Sequence, residues 1–292
     1  MSVKDTFFYK KQYINIRGEL VDISKPCIMG IINIAPDSFY SGSRFSDEQL
    51  ILIKTEQMLS EGVKFIDIGA CSSRPGANFV DENEEKERLR PALRIIRKNF
   101  PDCYLSVDTF RASIAEWAVG EFNVGIINDI SGGTLDEAMF STIARLKIPY
   151  VLMHMRGNPQ DMQSLAYYTN VTKEVMYEIS IKLIHLQEIG INDIIIDPGF
   201  GFAKNIDQNF ELLNNLHLFK IFELPIMAGV SRKSMSYKLL NITPGDALNS
   251  TTVLHTIALL NGANILRVHD VKEANEVIKI VNKLVESSKE CY

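Results

Sequence analysis

The 292-residue chain has only four cysteines, a single tryptophan and no apolar run long enough to cross a bilayer. Cys27, Cys71, Cys103 and Cys291 show no C-x-x-C spacing, which argues against a zinc site or a disulfide framework; the thiols are expected to be reduced and mostly structural. Without about 18 consecutive apolar residues, no helical membrane span is expected. Met1–Tyr13, with charges at Lys4, Asp5, Lys10 and Lys11, also lacks the apolar centre of a secretory signal, so the cytoplasm is the expected compartment. Positive charge is not in surplus: 31 Lys and Arg stand against 36 Asp and Glu, a net charge of −5. Neither nucleic acid nor a membrane surface is therefore an expected partner, and an anionic ligand has to be held by local cations or backbone dipoles. The G-x-S-x-G elbow, the Walker lysine loop, H-E-x-x-H and Cys/His clusters are missing too, which leaves covalent and zinc chemistry unsupported.

What the chain does have is a repeat of short apolar runs, at 27–33, 65–69, 104–108, 125–129, 150–154, 193–197, 225–231 and 265–269. Continuous Val/Ile/Leu-rich stretches, rather than strict alternation, read as parallel strands buried on both faces. Eight of them interleaved with helical segments predict an α/β fold, a (β/α)8 TIM barrel. The length suits one domain spanning 1–292, since such barrels need about 250 residues. Within 1–26, the segments 13–16 and 20–23 flank Arg17-Gly18-Glu19 and predict a hairpin closing the barrel bottom. A capping-box pattern at Ser46 and Gln49 opens the first expected helix, and further helices are expected over 82–98, 112–122, 136–146, 172–189, 207–218, 233–240, 246–260 and 271–287. Three long polar connections, 35–46, 70–81 and 155–170, fall on the rim where such barrels bind ligands.

The ends of the runs place Asn33, Asp108, Asn128, His154, Asp197, Ser231 and His269 on that rim. Asp108, Asn128 and Asp197, with Lys233 opening the helix after the seventh strand, form a ring suited to a flat heterocycle. A carboxylate can accept two parallel hydrogen bonds from the guanidine-like edge of a pterin or guanine while a lysine donates to the ring carbonyl. The plainer alternative is that Asp108 and Asp197 cap the following helices or pair with rim cations. Arg267 and His269 alternate about Val268 and share a face. Closure sets the last strand beside the first, so Asn33, Arg267 and His269 can surround one phosphate, with Asn33 offering an oxygen to Mg²⁺; an Arg267–Asp270 pair and a packed imidazole are the alternative. Ser72-Ser73-Arg74-Pro75-Gly76 could bind an anion or be an ordinary Pro-Gly turn. Ser231-Arg232-Lys233-Ser234 joins free backbone N–H groups to two cations and favours anions. Asp197-Pro198-Gly199-Phe200-Gly201-Phe202 combines glycines for close approach with aromatics for stacking, though a plain tight turn would look similar.

Taken together, Met29 to Phe39 (MGIINIAPDSF), Ser73-Arg74-Pro75-Gly76, Ser106-Val107-Asp108-Thr109, Asn128-Asp129, Asp197 to Phe202 (DPGFGF), Ser231-Arg232-Lys233-Ser234 and Arg267-Val268-His269-Asp270 resemble the dihydropteroate synthase family. The resemblance spans about residues 27–271. It implies a folate-biosynthesis transferase, a sulfonamide target that joins para-aminobenzoate to 6-hydroxymethyl-7,8-dihydropterin pyrophosphate, uses Mg²⁺ and works as a homodimer, here through late helices around 246–260. Position by position it implies pterin binding by Asp108, Asn128, Asp197, Lys233 and Arg267. Para-aminobenzoate would meet Phe39, Ser73, Arg74, Pro75, Phe202, Lys233 and Ser234, its carboxylate near a helix N-terminus. Asn33, Asp37, Arg267, His269 and Lys233 would carry the chemistry, with Asn33 on the metal and Asp37 ordering a closed site. The chain departs from the family in both loops: Ala35 and Ser73 replace threonines, and Tyr40-Ser41-Gly42-Ser43 replaces an S-D-G-G stretch, which bears on loop closure and inhibitor sensitivity. The alternatives are a pterin-binding methyltransferase domain and a catalytically silent pterin-binding paralogue.

Overall fold

The computed structural model describes residues 11–34, 44–71 and 80–289. The chain opens with an antiparallel hairpin, β1 (Tyr13–Ile16) against β2 (Glu19–Asp22). Arg17 and Gly18 both take positive φ in its turn, the backbone that a two-residue hairpin loop requires. The barrel strands follow as β3 (Cys27–Asn33), β4 (Phe65–Gly69), β5 (Tyr104–Asp108), β6 (Ile126–Asp129), β7 (Tyr150–Met153), β8 (Ile194–Asp197), β9 (Met227–Ala228) and β10 (Ile265–Val268). Between and after them run α1 (Arg44–Ser60), α2 (Glu82–Asn99), α3 (Ala112–Phe122), α4 (Met139–Leu146), α5 (Val171–Glu188), α6 (Ile206–Asn214), α7 (Ser234–Tyr237), α8 (Leu248–Leu260) and α9 (Val271–Lys289).

The strands form one parallel sheet in the order β8-β7-β6-β5-β4-β3-β10-β9. An Ile196–Ile226 bridge, with the Ile196 amide donating to Pro225 O at 2.8 Å, closes the seam and makes the (β/α)8 barrel. As expected, the last strand lies beside the first, Arg267 opposite Met29. The hairpin packs under the barrel: Ile14, Ile16, Val21 and Ile23 cluster with Met29, Phe65, Ile126, Val151, Ile195, Met227 and Ile265. Those seven are inward-facing side chains near the starts of their strands, so the lower interior is apolar and sealed, and ligands are confined to the other end.

Four expectations change in detail. The helix after β3 starts at Arg44, which puts Ser46 inside its first turn rather than at a cap. The run 225–231 is a strand only over Met227–Ala228. Beyond it, Ser231 meets the neighbouring strand end through its side chain, Oγ lying 3.0 Å from His269 Nδ1 and accepting from the His269 amide at 3.2 Å, in place of a backbone ladder. The helix expected over 207–218 ends at Asn214 and continues as a 3₁₀ segment, Leu216–Phe222, because Asn261 Nδ2 takes the carbonyls of Leu213 and Asn214. The helix expected over 233–240 is the single turn α7.

Candidate active site

Side chains two apart along a strand share a face, so four of the barrel strands send an apolar residue into the lower interior and a polar one directly above it. Phe65 is followed by Asp67, Ile126 by Asn128, Ile195 by Asp197 and Ile265 by Arg267. The polar layer is knitted around Arg267. Its Nε donates to Asp67 Oδ2 and its Nη2 to Asp108 Oδ2, each at 2.7 Å, and Asn128 Nδ2 donates to the same Asp67 oxygen at 2.9 Å. Burial opposes the charge on Arg267, yet Asp67 and Asp108 hold it above its ordinary pKa. Burial pushes Asp108 up to about 7 against the pull of Arg267, with Asp67, Glu85 and Asp129 adding to the rise. Arg267 therefore pairs with two carboxylates across the barrel, and the Arg267–Asp270 alternative does not occur, since Asp270 is taken by Arg232 Nε and Nη2 at 2.8 and 2.9 Å.

On the opposite wall Asp197 turns one oxygen back to its own loop, Oδ1 accepting from the Gly199 amide at 2.7 Å. Its other oxygen faces the side chain that Gly229 lacks; an added Cβ there would lie 3.7 Å from Oδ2, so the glycine leaves room for a flat group against the carboxylate. Burial raises Asp197, opposed by the Gly199 amide and by Lys233 and Arg267. Lys233 reaches across Gly201, where a Cβ would come within 3.2 Å of its Cδ, to place Nζ 4.3 Å from the centre of the Phe202 ring, a cation–π contact. Burial and the charge of Arg267 lower Lys233 to about 8. Phe202 itself is largely buried in a cluster with Ile130, Met153, Met155 and Met162, so the long connection 155–170 supports the aromatic wall of the site. The expected anion grip of two cations is halved: Arg232, at φ +51, binds Asp270 and the carbonyls of Pro244 and Gly245 as a structural clamp, and Lys233 alone faces the site.

Above Arg267 stand the exposed Asn33 and His269. Asn33 Oδ1 flanks Asp108 across Gly69, whose missing Cβ would lie 3.6 Å from Oδ1 and 3.3 Å from Asp108 Cβ. Ser231 Oγ accepts from the His269 amide and lies within hydrogen-bond distance of His269 Nδ1; with the hydroxyl hydrogen directed to Nδ1, the imidazole proton is on Nε2. Although the residue is open at the rim, desolvation of its ring among the surrounding protein, with the Arg267 charge, lowers His269 to about 4, so near neutrality it is uncharged.

The structure thus brings together Asn33, Asp108, Asn128, Asp197, Phe202, Lys233, Arg267 and His269, with Ser234 at the first position of α7. Asp37, Phe39, Ser73, Arg74 and Pro75 lie outside the described residues. His154, expected on the rim, is instead buried behind the 197–202 segment, its Nε2 2.9 Å from Glu178 Oε2 and its Nδ1 3.0 Å from Lys204 Nζ. Burial and Lys204 lower His154 to about 4, and burial lowers Lys204 to about 7. Two important residues were not singled out by the sequence, Asp67 and Lys204. The signal for Asp67 was available: a lone carboxylate on the inward face of an apolar strand requires a buried cation.

Comparison with known proteins agrees with this geometry. The family model described as pterin binding enzyme matches residues 29–269. The chain is 38% identical over 274 residues to the dihydropteroate synthase of Haemophilus influenzae, covering 92% of this chain and 97% of that one. It is 39% identical over 261 residues to the folic acid synthesis protein fol1 of Pneumocystis carinii, of which it spans 35%. Among solved structures, the Yersinia pestis dihydropteroate synthase in a sulfonamide complex superposes with a TM-score of 0.86 at 38% identity, over 94% of this chain and 99% of that one. A Xanthomonas albilineans dihydropteroate synthase with 4-aminobenzoic acid gives 0.86 at 30% identity, over 94% and 98%. The chain therefore belongs to the pterin-binding enzymes and, among them, to the dihydropteroate synthase family of transferases.

Proposed function

We propose that this chain condenses 6-hydroxymethyl-7,8-dihydropterin pyrophosphate with para-aminobenzoate to give 7,8-dihydropteroate and pyrophosphate. The observation that carries this is the convergence of Asp108, Asn128, Asp197 and Lys233 inside one barrel mouth, directly below the exposed Asn33 and His269 and around Arg267. Asp197 Oδ2, over Gly229, accepts from the amino-pyrimidinone edge of the pterin, Asn128 and Asp108 take the opposite edge, and Lys233 donates to the ring carbonyl. Arg267, held edge-on by two carboxylates, presents its plane to the heterocycle. The amine of aminobenzoate then displaces pyrophosphate at the pterin methylene carbon. The electron-rich ring delocalises developing positive charge, so the step needs no strong base, and positioning and electrostatics carry the acceleration. Asn33, Arg267 and the neutral His269, donating through Nε2, stabilise the departing anion. Phe202 and Lys233 receive aminobenzoate with Ser234, Phe39, Ser73, Arg74 and Pro75, while Asp37 helps keep the closed site dry.

Mg²⁺ suits this rim. The Asn33 side chain is exposed there, and its amide oxygen is a hard donor for an ion that keeps waters and substrate phosphates as its other ligands. Bound there, the ion would neutralise charge on the leaving pyrophosphate.

Steady-state pyrophosphate release, measured with and without para-aminobenzoate and with the product identified by mass, tests the reaction. Aminobenzoate-dependent release with dihydropteroate as product is expected; pterin binding without turnover would instead favour the silent paralogue.

A homodimer is part of the same proposal. Val253, Ile257 and Leu260, on one stripe of α8, are 52, 36 and 50% exposed, and Ile280 and Leu284 on the adjacent α9 are 70 and 56% exposed, an apolar face of the kind that pairs with a second copy. Light scattering should give twice the chain mass for the wild type and the single-chain mass for Leu260→Glu; a monomeric wild type would end this part of the proposal.

A further inference from the structure

The 197–202 segment that forms one wall of the site is conformationally demanding. Gly199 and Gly201 take φ of +73 and +82, and Ala203, which is not a glycine, takes +48. A Cβ at Gly199 would collide with His154 O at 1.9 Å. Such backbone persists only where its surroundings fix it, and here the fixing group is Lys204. Its Nζ is buried and, in the protonated form, donates to Gly199 O, Phe202 O and His154 Nδ1, each at 3.0 Å, which uses all three ammonium hydrogens. From the same side Asn209 Oδ1 accepts from the Gly201 amide at 2.7 Å.

The support continues outward. Since His154 accepts at Nδ1, its proton is on Nε2 and is donated to Glu178 Oε2. Glu178 Oε1 accepts from Arg156 Nε at 2.9 Å, and Arg156 also holds Glu174 and the Tyr167 carbonyl while lying over the Tyr168 ring. The far side of the segment carries Phe202 beneath Lys233. A continuous polar chain thus runs from α5 through His154 and Lys204 to the aromatic wall.

Resting on the synthase assignment above, we propose that Lys204 is a positioning residue for the aminobenzoate side of the site: its ammonium clamps the carbonyls of Gly199 and Phe202 and so sets the Phe202–Lys233 contact that the second substrate meets. Lys204 does not reach the substrate, because its donors are all engaged behind the segment. An apolar side chain of the same length would fill the space but take from Phe202 O the donor that Lys204 supplies and leave Gly199 O only the Phe202 amide at 3.2 Å, and the segment would shift to rehydrate them. Most of the pterin side, Asp67, Asp108, Asn128 and Arg267, stands on other strands. The Asp197 carboxylate meets the clamped segment only through the Gly199 amide, and Lys233 through its Phe202 contact, so the pterin should feel the loss much less than aminobenzoate.

Lys204→Met tests the proposal by steady-state kinetics in both substrates, with thermal unfolding in parallel. The KM for para-aminobenzoate should rise about tenfold or more while that for the pterin pyrophosphate stays within about threefold, a misplacement effect confined to one substrate. A merely structural lysine would lower Tm and the folded fraction with both KM values unchanged, and that result, or an equal rise in both, would overturn the proposal. Where the methionine variant yields no folded protein, Lys204→Gln, which keeps two donors on a shorter stem, should show the same one-sided rise in smaller measure. A wild type without aminobenzoate-dependent turnover would remove the synthase assignment and the clamp's role together, whereas an active wild type with an unmoved variant removes only the clamp.

Discussion

Arg267→Met is expected to abolish measurable turnover and to cost roughly 3–5 kcal/mol of folding stability, the range for removing one partner of a buried ion pair. The cost comes from what is left behind. Asp67 is fully buried, its Oδ1 has no partner among the described residues, and its Oδ2 would keep only Asn128. Asp108 would lose its hydrogen-bonded cation, which opposes the burial and the neighbouring carboxylates already pushing it up to about 7. Asp108 would then favour the protonated form in the folded chain. A carboxyl whose folded pKa lies above its unfolded value loses stability as pH rises between the two, so the deficit of the variant should be smaller at about pH 5 than at about pH 8. Urea unfolding of the two proteins at both pH values measures this. Asp67→Asn in the Arg267→Met background should recover part of the loss, because it removes one stranded charge. A deficit below about 1 kcal/mol at about pH 8, typical of an exposed pair, would show that Arg267 does not hold the polar layer together.

Asp67 also marks where sequence reasoning stops. The strands were legible because each is a compact apolar run, and Asp108, Asn128, Asp197 and Arg267 stood out because they end or interrupt those runs near the rim. Asp67 sits one residue further into its strand, and its partner is 200 positions away in the chain; only closure of the barrel brings the two together. Lys204 was hidden for a different reason. It directly precedes Asn205, whose side chain caps α6 by accepting from the Gln208 amide, and a lysine at a helix entry looks like a solvated surface charge. Nothing local announces that the preceding positive-φ residues fold it inward. The adjacent cations Arg232 and Lys233 look equivalent in sequence. The left-handed backbone at Arg232 aims it outward to Asp270 and leaves Lys233 inward, so one is a clamp and the other belongs to the site. The late part of the fold was over-read as regular for a related reason: side chains such as Ser231 and Asn261 satisfy backbone or neighbouring strand groups where a ladder or a longer helix was expected.

Lys233→Ala is expected to raise the KM for both substrates and to lower kcat/KM by roughly 100-fold or more, the scale of losing one charged donor from a preorganised site. The lysine is shared: its ammonium lies over the Phe202 ring, its stem packs against Gly201, and its charge is coupled to Asp197, Asp108 and Arg267. The residue therefore touches both halves of the site, in contrast to Lys204, whose loss should be felt on one side. Its ionisation gives a second, independent signature. Burial and Arg267 lower Lys233 to about 8, so the charged form that donates to the ring carbonyl is present below that pH and is lost as pH rises through it. The wild-type kcat/KM for the pterin pyrophosphate, which reports the free enzyme, should fall on the alkaline side with a midpoint near 8, and that limb should be missing from the alanine variant. His269 contributes no limb in the same range, because burial and Arg267 hold it near 4. An alkaline limb that persists unchanged in Lys233→Ala, or near-normal kinetics for both substrates, would mean that another group donates to the pterin and that Lys233 only supports Phe202.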